Sequence, residues 1–147
     1  MYEDLYDLPM TGGPPPFKLP AWIAAAPFEE YLGMRIEEAG GGKARLTMPF
    51  LVKHAQGKGL MHGGAVTSLA DTSVAMAIKS ILPEGTHFVT TDLSLTFRRP
   101  VITGEVEAVA TTEQVDDRTV IGRAMVRQGE RTIAEFTARF RILREKG

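Results

Sequence analysis

Hydrophobic and polar positions alternate along the second half of the chain, which is the spacing of half-buried β-strands. The alternation predicts four strands, over residues 87–97, 101–111, 119–128 and 131–143. In the first of them, one face is predicted to carry Val89, Thr91, Leu93, Leu95 and Phe97, and the opposite face Thr90, Asp92, Ser94 and Thr96. In the last, the apolar face is predicted to carry Ala134, Phe136, Ala138, Phe140 and Ile142.

A second pattern covers residues 64–82, where apolar positions lie nearly all round a helix. Pro83 and Gly85 mark its end. Two strands are predicted before it, over residues 33–38 and 43–49, with a glycine-rich turn at 39–42. Residues 22–31 predict a short helix that Pro27 interrupts. The order indicates an α+β domain in which one long helix is covered by a curved antiparallel sheet.

The bulk properties narrow the class of protein. A chain of 147 residues fits one domain. We expect a flexible arm without chemistry at residues 1–20, which are rich in proline and glycine, and a single domain at 21–147. A net charge of -1 gives no reason to expect nucleic acid as a partner, and the absence of cysteine excludes disulfides and thiolate metal sites. With no membrane-length apolar run and no signal-peptide pattern, we expect no membrane partner and a cytoplasmic location.

One acidic side chain lies within the apolar helix. Between Leu60 and Ile78 the only ionisable side chains are His62 and Asp71. A carboxylate in such surroundings is costly to desolvate unless it is hydrogen-bonded or used. Asp71 therefore favours an enzyme, and the alternative is a structural carboxylate satisfied by a hydroxyl such as that of Thr67 or Thr72.

Five short segments together resemble the hotdog-fold thioesterases, in particular phenylacetate-pathway-like acyl-CoA thioesterases and relatives of 4-hydroxybenzoyl-CoA thioesterase. The segments are Gln56, His62-Gly63-Gly64, Leu69-Ala70-Asp71-Thr72, Thr90-Thr91-Asp92-Leu93 and Arg98-Arg99-Pro100. The resemblance covers about residues 30–143. It implies the hotdog fold, a long central helix wrapped by a curved antiparallel sheet. It also implies hydrolysis of an acyl-CoA to free acid and CoA, no metal or other cofactor, and a homodimer that often forms a homotetramer.

The two central site residues fit that chemistry. Backbone N–H groups at a helix start lack helical acceptors and favour a developing oxyanion, so Gly63 is the predicted donor. The alternative is that the glycines only form a tight turn. Asp71 is predicted to activate water or to attack the carbonyl itself, and the sequence does not choose between a base and a nucleophile.

The resemblance also assigns supporting roles. Gln56 stands where relatives carry an amide that positions substrate or water, and Thr90 where relatives place a hydroxyl near the attacking water. Either residue is also compatible with an ordinary loop or strand position. Ala75 replaces a hydroxyl found in some relatives, which leaves Thr90 and Thr72 as candidates. His62 is a candidate general base, although a role in shaping the glycine loop is favoured.

The remaining candidates would contact the substrate. Gly64 lies in the glycine loop, and Met61 or Met76 could line an apolar slot for the acyl group. Lys58, Arg98 and Arg99 are candidates for the phosphates of CoA, with solvated surface charge as the alternative. His54 and His87 are too isolated to suggest a metal site.

The distance between Gly63 and Asp71 along the predicted helix indicates how subunits assemble. Gly63 and Asp71 are eight residues apart, about 12 Å along a helix. One carbonyl group cannot easily contact both within a chain, so we predict a homodimer whose sites are shared between subunits. Two other functions remain open: a hydratase or dehydratase of the same fold, and a non-catalytic acyl-CoA binding protein. The acyl group, small aromatic or medium to long chain, is not determined.

Overall fold

The computed structural model describes residues 1–143, so the last four residues of the predicted domain, 144–147, lie outside the described residues. Two helices and six strands follow in the predicted order. Their bounds are α1 Pro27–Leu32, β1 Arg35–Gly40, β2 Lys43–Pro49, α2 Gly63–Lys79, β3 His87–Phe97, β4 Glu105–Gln114, β5 Thr119–Gln128 and β6 Arg131–Leu143. Short 3-10 turns lie at Glu3–Leu5 and Val52–His54. The predicted α+β arrangement is confirmed.

The six strands form one antiparallel sheet in the order β1-β2-β4-β5-β6-β3. Alternating small and large apolar residues on β4, β5 and β6 face the helix, and α2 packs against these strands and β2. The apolar face predicted for β6 is confirmed, since Ala134, Phe136, Ala138 and Phe140 are all buried. The core is therefore the space between α2 and the inner face of the sheet.

One glycine allows the helix to approach the sheet closely. A Cβ atom on Gly122 of β5 would lie 2.0 Å from Cγ1 of Val74, and Val74 is fully buried on α2. Any side chain at residue 122 would therefore push α2 away from the middle of the sheet.

Several predicted boundaries are wrong by a few residues. Pro27 begins α1 instead of interrupting it, because proline at the first helical position loses no hydrogen bond. Helix α2 begins at Gly63 and ends at Lys79, not at residue 82. Strand β4 runs from Glu105 to Gln114, not from 101 to 111. The turn between β1 and β2 is only Gly41 and Gly42, both with positive φ, as a two-residue hairpin turn requires.

The predicted faces of β3 are also wrong at one end. The pairing of β3 with β6 shifts register between Thr90 and Asp92, so Thr91 is a bulge. Thr90 pairs with Phe140 and Leu93 pairs with Ala138, so Thr90 and Leu93 lie on the same, helix-facing side of the sheet. Val89 and Thr91 do not lie on that side. An extra residue reverses the alternation, which a periodic pattern alone does not reveal.

The N-terminal segment folds back on both helices. Tyr2 is buried, its ring lies edge-on to Phe17, and the Tyr6 hydroxyl donates to Glu30 of α1 at 2.7 Å. The Trp22 indole N–H donates to the carbonyl of Lys79 at the end of α2. Among the described residues, no helix has the length and hydrophobicity needed to cross a membrane.

Candidate active site

The start of α2 leaves one backbone donor free. Nδ1 of His62 accepts a hydrogen bond from the Gly64 N–H at 2.8 Å, and the His62 carbonyl accepts from the Ala65 N–H at 2.9 Å. His62 is thus the N-cap of the helix. Within residues 1–143, the Gly63 N–H has no hydrogen-bond partner. The amide predicted as oxyanion donor is therefore available, whereas the Gly64 amide is not.

The space beside Gly63 is bounded by an aromatic ring. A Cβ atom on Gly63 would lie 3.0 Å from Cζ of Phe97, the last residue of β3. Phe97 is 53% exposed, so this ring forms one wall of an open site. Glycine at residue 63 keeps the main chain accessible beside it.

Asp71 lies two turns further along α2 and faces the other end of β3. Its side chain is half-buried, and Oδ1 accepts a hydrogen bond from the Thr90 hydroxyl at 3.3 Å. Burial raises the pKa of Asp71, and the hydrogen bond from Thr90 opposes that rise. The bulge at Thr91 is what turns the Thr90 side chain toward α2.

The other hydroxyls considered for Asp71 have different positions. Thr67 donates to the carbonyl of Gly63 at 2.8 Å, and Thr72 is buried, with 8% of its surface exposed. Within the described chain, the side chain of Asp71 therefore has one hydrogen bond, the long one of 3.3 Å from Thr90. Such a half-buried, weakly stabilised carboxylate suits proton transfer better than a fully satisfied one.

Gln56 lies in a closed hairpin that leads into the site. Its N–H donates to the carbonyl of Leu60, and its carbonyl accepts from Gly59. Its side-chain oxygen accepts from the backbone N–H of Lys58, and the residue is half-buried. Met61 is buried in the core at the end of this hairpin.

A cavity of about 350 Å³ lies at the start of α2. It is lined by polar groups of the helix start and by α1, with His62, Gly64 and Ser68 on one side and Phe28 and Leu32 on another. Phe28 also borders a larger apolar groove of about 590 Å³ between the N-terminal segment and α1. The structure thus offers apolar space on the His62 and Gly64 side of the helix start, and neither Gly63 nor Asp71 lines it.

The two predicted arginines differ in their contacts. Arg98 forms an ion pair with Glu135, with N–O distances of 2.6 and 2.9 Å. The guanidinium of Arg99 makes a long contact of 3.4 Å to the carbonyl of Thr132, and within residues 1–143 the Lys58 side chain has no ion pair. Across the same residues, no group of three or more His, Cys, Asp or Glu side chains could hold a metal ion.

Two residues near the site were not predicted for it. Phe97 was expected only as an apolar strand residue, and its place at the end of β3, next in sequence to the Arg98-Arg99 pair, was the available signal. His54 is too isolated in the sequence to indicate a metal site, yet it is 1% exposed and both of its ring nitrogens form hydrogen bonds to the main chain. The neighbouring residues, which mix apolar Val52 and Ala55 with polar Lys53 and Gln56, do not indicate that burial.

A helix covered by an antiparallel sheet, with a free amide at its start and a half-buried acid along it, defines the class of hotdog-fold thioester hydrolases. The chain matches the Thioesterase superfamily over residues 58–140, more than half of its length. It therefore belongs to that family, and the resemblance and the predicted fold are confirmed.

Individual relatives agree with this assignment. A Halobacterium salinarum protein, provisionally named an esterase, is 31% identical over 126 residues, which cover 78% of this chain and 83% of that protein. The proofreading thioesterase EntH of Cronobacter turicensis is 35% identical over 80 residues, 54% of this chain and 58% of that protein. The structure of a mutant of the Thermus thermophilus phenylacetic acid degradation protein PaaI aligns with a TM-score of 0.74 at 28% identity, covering 80% of this chain and 100% of that one. The prediction of a thioester hydrolase is confirmed at the level of the family.

Proposed function

We propose that this protein is an acyl-CoA thioesterase that releases CoA from a small aromatic or a medium- to long-chain acyl group. One observation carries the proposal: the free N–H of Gly63 and the half-buried carboxylate of Asp71 lie on one helix and face the two ends of the same strand, β3. The first group is a hydrogen-bond donor for an oxyanion, and the second is a base or nucleophile.

The reaction needs both groups at one carbonyl. The Gly63 N–H stabilises negative charge on the thioester oxygen while a new C–O bond forms at the carbonyl carbon. If Asp71 is a base, it takes the proton of the attacking water. If Asp71 is a nucleophile, it forms an anhydride that water then hydrolyses. In either case the C–S bond breaks, and CoA leaves as a thiolate that takes up a proton.

The free edge of β3 explains how two subunits could complete one site. Within residues 1–143 this eleven-residue strand pairs only with β6, and Leu93 and Phe97 are 48% and 53% exposed. An unpaired edge of this length is a template for a second strand. Antiparallel pairing of two β3 strands about a two-fold axis between Leu93 and Ser94 would bring Thr90 of one subunit beside Phe97 of the other.

That pairing would put Asp71 of one subunit near the Gly63 N–H of its partner. Thr90 holds Asp71 at one end of β3, and Phe97 contacts Gly63 at the other. A homodimer with two composite sites removes the separation of about 12 Å along the helix. Further association into a homotetramer is part of the proposal, as is a cytoplasmic location.

The supporting residues follow from their positions. Gln56 and His62 flank the loop before Gly63, so Gln56 would orient substrate, and His62 would hold the helix start as its N-cap. Arg99 and Lys58 are better placed than Arg98 to bind the phosphates of CoA, because Arg98 is already paired with Glu135.

The test is release of free thiol from a panel of aromatic, medium-chain and long-chain acyl-CoA substrates. The wild type should turn over at least one member. Asp71→Asn should lose about a hundredfold to ten-thousandfold in kcat, the usual contribution of a positioned base. Asp4→Asn, in the exposed N-terminal turn, is the matched control and should be unchanged. Binding without thiol release, or a modified acyl group still attached to CoA, would replace the proposal with the binding-protein or hydratase function.

A further inference from the structure

His54 is a buried histidine that the proposed reaction does not use. It is 1% exposed, and its Nδ1 accepts a hydrogen bond from the Leu51 N–H at 2.9 Å. Because Nδ1 is an acceptor, the ring proton lies on Nε2, which donates to the carbonyl of Leu32 at 2.7 Å. Both ring nitrogens are therefore committed to the main chain.

The main chain of His54 closes the hairpin that leads to the site. Its carbonyl accepts from the His62 N–H at 2.7 Å, and a bridge between Ala55 and Met61 follows. The hairpin, residues 54–62, thus begins at His54 and ends at the N-cap of α2. Gln56 lies on its first arm, and Gly63 comes directly after its second.

The other end of this connection is α1. Leu32 is the last residue of that helix, and its carbonyl has no further helical donor, so the imidazole of His54 supplies one. An unbroken series of bonds therefore runs from α1 through the His54 ring to His62, whose own ring holds the Gly64 N–H.

We propose that His54 is a positioning residue that sets the direction of the Gly63 N–H by fixing hairpin 54–62 against α1. The consequence for catalysis rests on the proposed function, whereas the consequence for the start of α2 does not. A histidine that only filled the core would be replaceable by an apolar side chain of similar volume. A positioning histidine is replaceable only by a side chain that restores its hydrogen bonds.

Three variants separate these roles. His54→Leu removes both ring contacts and keeps apolar bulk. His54→Asn retains an acceptor near the position of Nδ1, and His54→Gln retains a donor near that of Nε2. Asp4→Asn, in the exposed N-terminal turn, is the control for a polar substitution away from the hairpin and from β3.

Two measurements read the outcome. The first is kcat and KM for thiol release. His54→Leu should lower kcat about tenfold to a hundredfold, because misplacing a catalytic group by about 1 Å has an effect of this size. The change in KM should be much smaller. At least one of the two amide variants should recover part of that loss. The second is the ¹H–¹⁵N NMR spectrum of the free protein, where the Gly63 and Gly64 amide signals should move in His54→Leu while those of β5 stay in place.

The NMR measurement does not depend on turnover. If the wild type hydrolyses no acyl-CoA, the proposed function fails and the Gly63 and Gly64 signals still decide the role of His54. If His54→Leu is folded and leaves kcat and both signals unchanged, the proposal is overturned. It is also overturned if all three variants lose stability without a local change at Gly64, because His54 is then only a core residue.

Discussion

Replacing Gly63 by proline removes the N–H that we propose as the oxyanion donor, at a helix position that accepts proline. Proline has no N–H, and Gly63 is the first residue of α2, where proline is best tolerated. The preceding residue, His62, has φ of -59° and ψ of 133°, a conformation that a following proline favours. The Gly63 N–H has no partner in residues 1–143, so its loss breaks no bond of the fold.

Gly63→Ala supplies the matched control. Alanine adds the same Cβ, 3.0 Å from Cζ of Phe97, but keeps the N–H. Phe97 is half-exposed and free to shift by the few tenths of an ångström that this contact needs. The difference between the two variants therefore reports the loss of the N–H together with the ring carbons Cγ and Cδ of proline, the latter in the place of the amide hydrogen. Removal of one such donor typically lowers kcat about a hundredfold to a thousandfold, or about 2.7–4 kcal/mol.

The assay is thiol release at saturating acyl-CoA, with thermal unfolding to confirm that both variants are folded. We expect Gly63→Ala to retain most of its kcat and Gly63→Pro to fall below it by the factor given above. Equal kcat values for the two folded variants would refute the assignment of the Gly63 N–H as oxyanion donor.

Three further predictions address the acid and the packing. Thr90→Val removes the hydrogen bond that opposes the raised pKa of Asp71, so the acid limb of the plot of kcat/KM against pH should move to higher pH. An acid limb at the same pH would contradict the hydrogen bond between Thr90 and Asp71. Because burial raises the pKa of Asp71 in the folded state, ionisation of this carboxyl lowers the free energy of unfolding; the penalty is absent below the ordinary pKa of 3.8 and reaches its full size above the raised pKa. Asp71→Asn should therefore raise Tm at pH 7, and the gain should vanish in acid; a lower Tm at pH 7 would contradict it. Gly122→Ala should destabilise by about 1–3 kcal/mol in denaturant unfolding, because its Cβ would overlap buried Val74. Gly40→Ala, a strand glycine with open space around it, should be near neutral, and equal losses in the two variants would argue against the close approach of α2 to β5.

Much of the fold was predictable because its strands are half-buried. On β6, exposed polar residues alternate with buried apolar ones, and the burial pattern of the structure repeats that alternation. The long helix was predictable for a different reason, since its apolar residues lie nearly all round it and require burial on most sides. Element ends were less predictable, because residues 101–104 continue an apolar pattern but form a loop in which only Val101 is buried.

The pair at the centre of the proposed site, Gly63 and Asp71, also stands out in the sequence, whereas the contacts that hold these two residues in place do not. Gly63 and Asp71 stand out because a glycine loop and a lone acid are unusual on an apolar helix. The contact between Thr90 and Asp71 depends on a bulge at Thr91, and a bulge leaves no trace in a period-two pattern. His54 is bonded locally to Leu51 and across the fold to Leu32, and the second, tertiary contact is not indicated by the neighbouring sequence.

The central claim is that each site takes Gly63 from one subunit and Asp71 from the other. The direct test is co-expression of Asp71→Asn and Gly63→Pro chains with different affinity tags, followed by isolation of the mixed dimer through both tags. Each mixed dimer would have one site with both native groups and one site with neither, so we predict about half of the wild-type rate of thiol release. A mixed dimer no more active than either parent would contradict the account, since every site would then carry one defect.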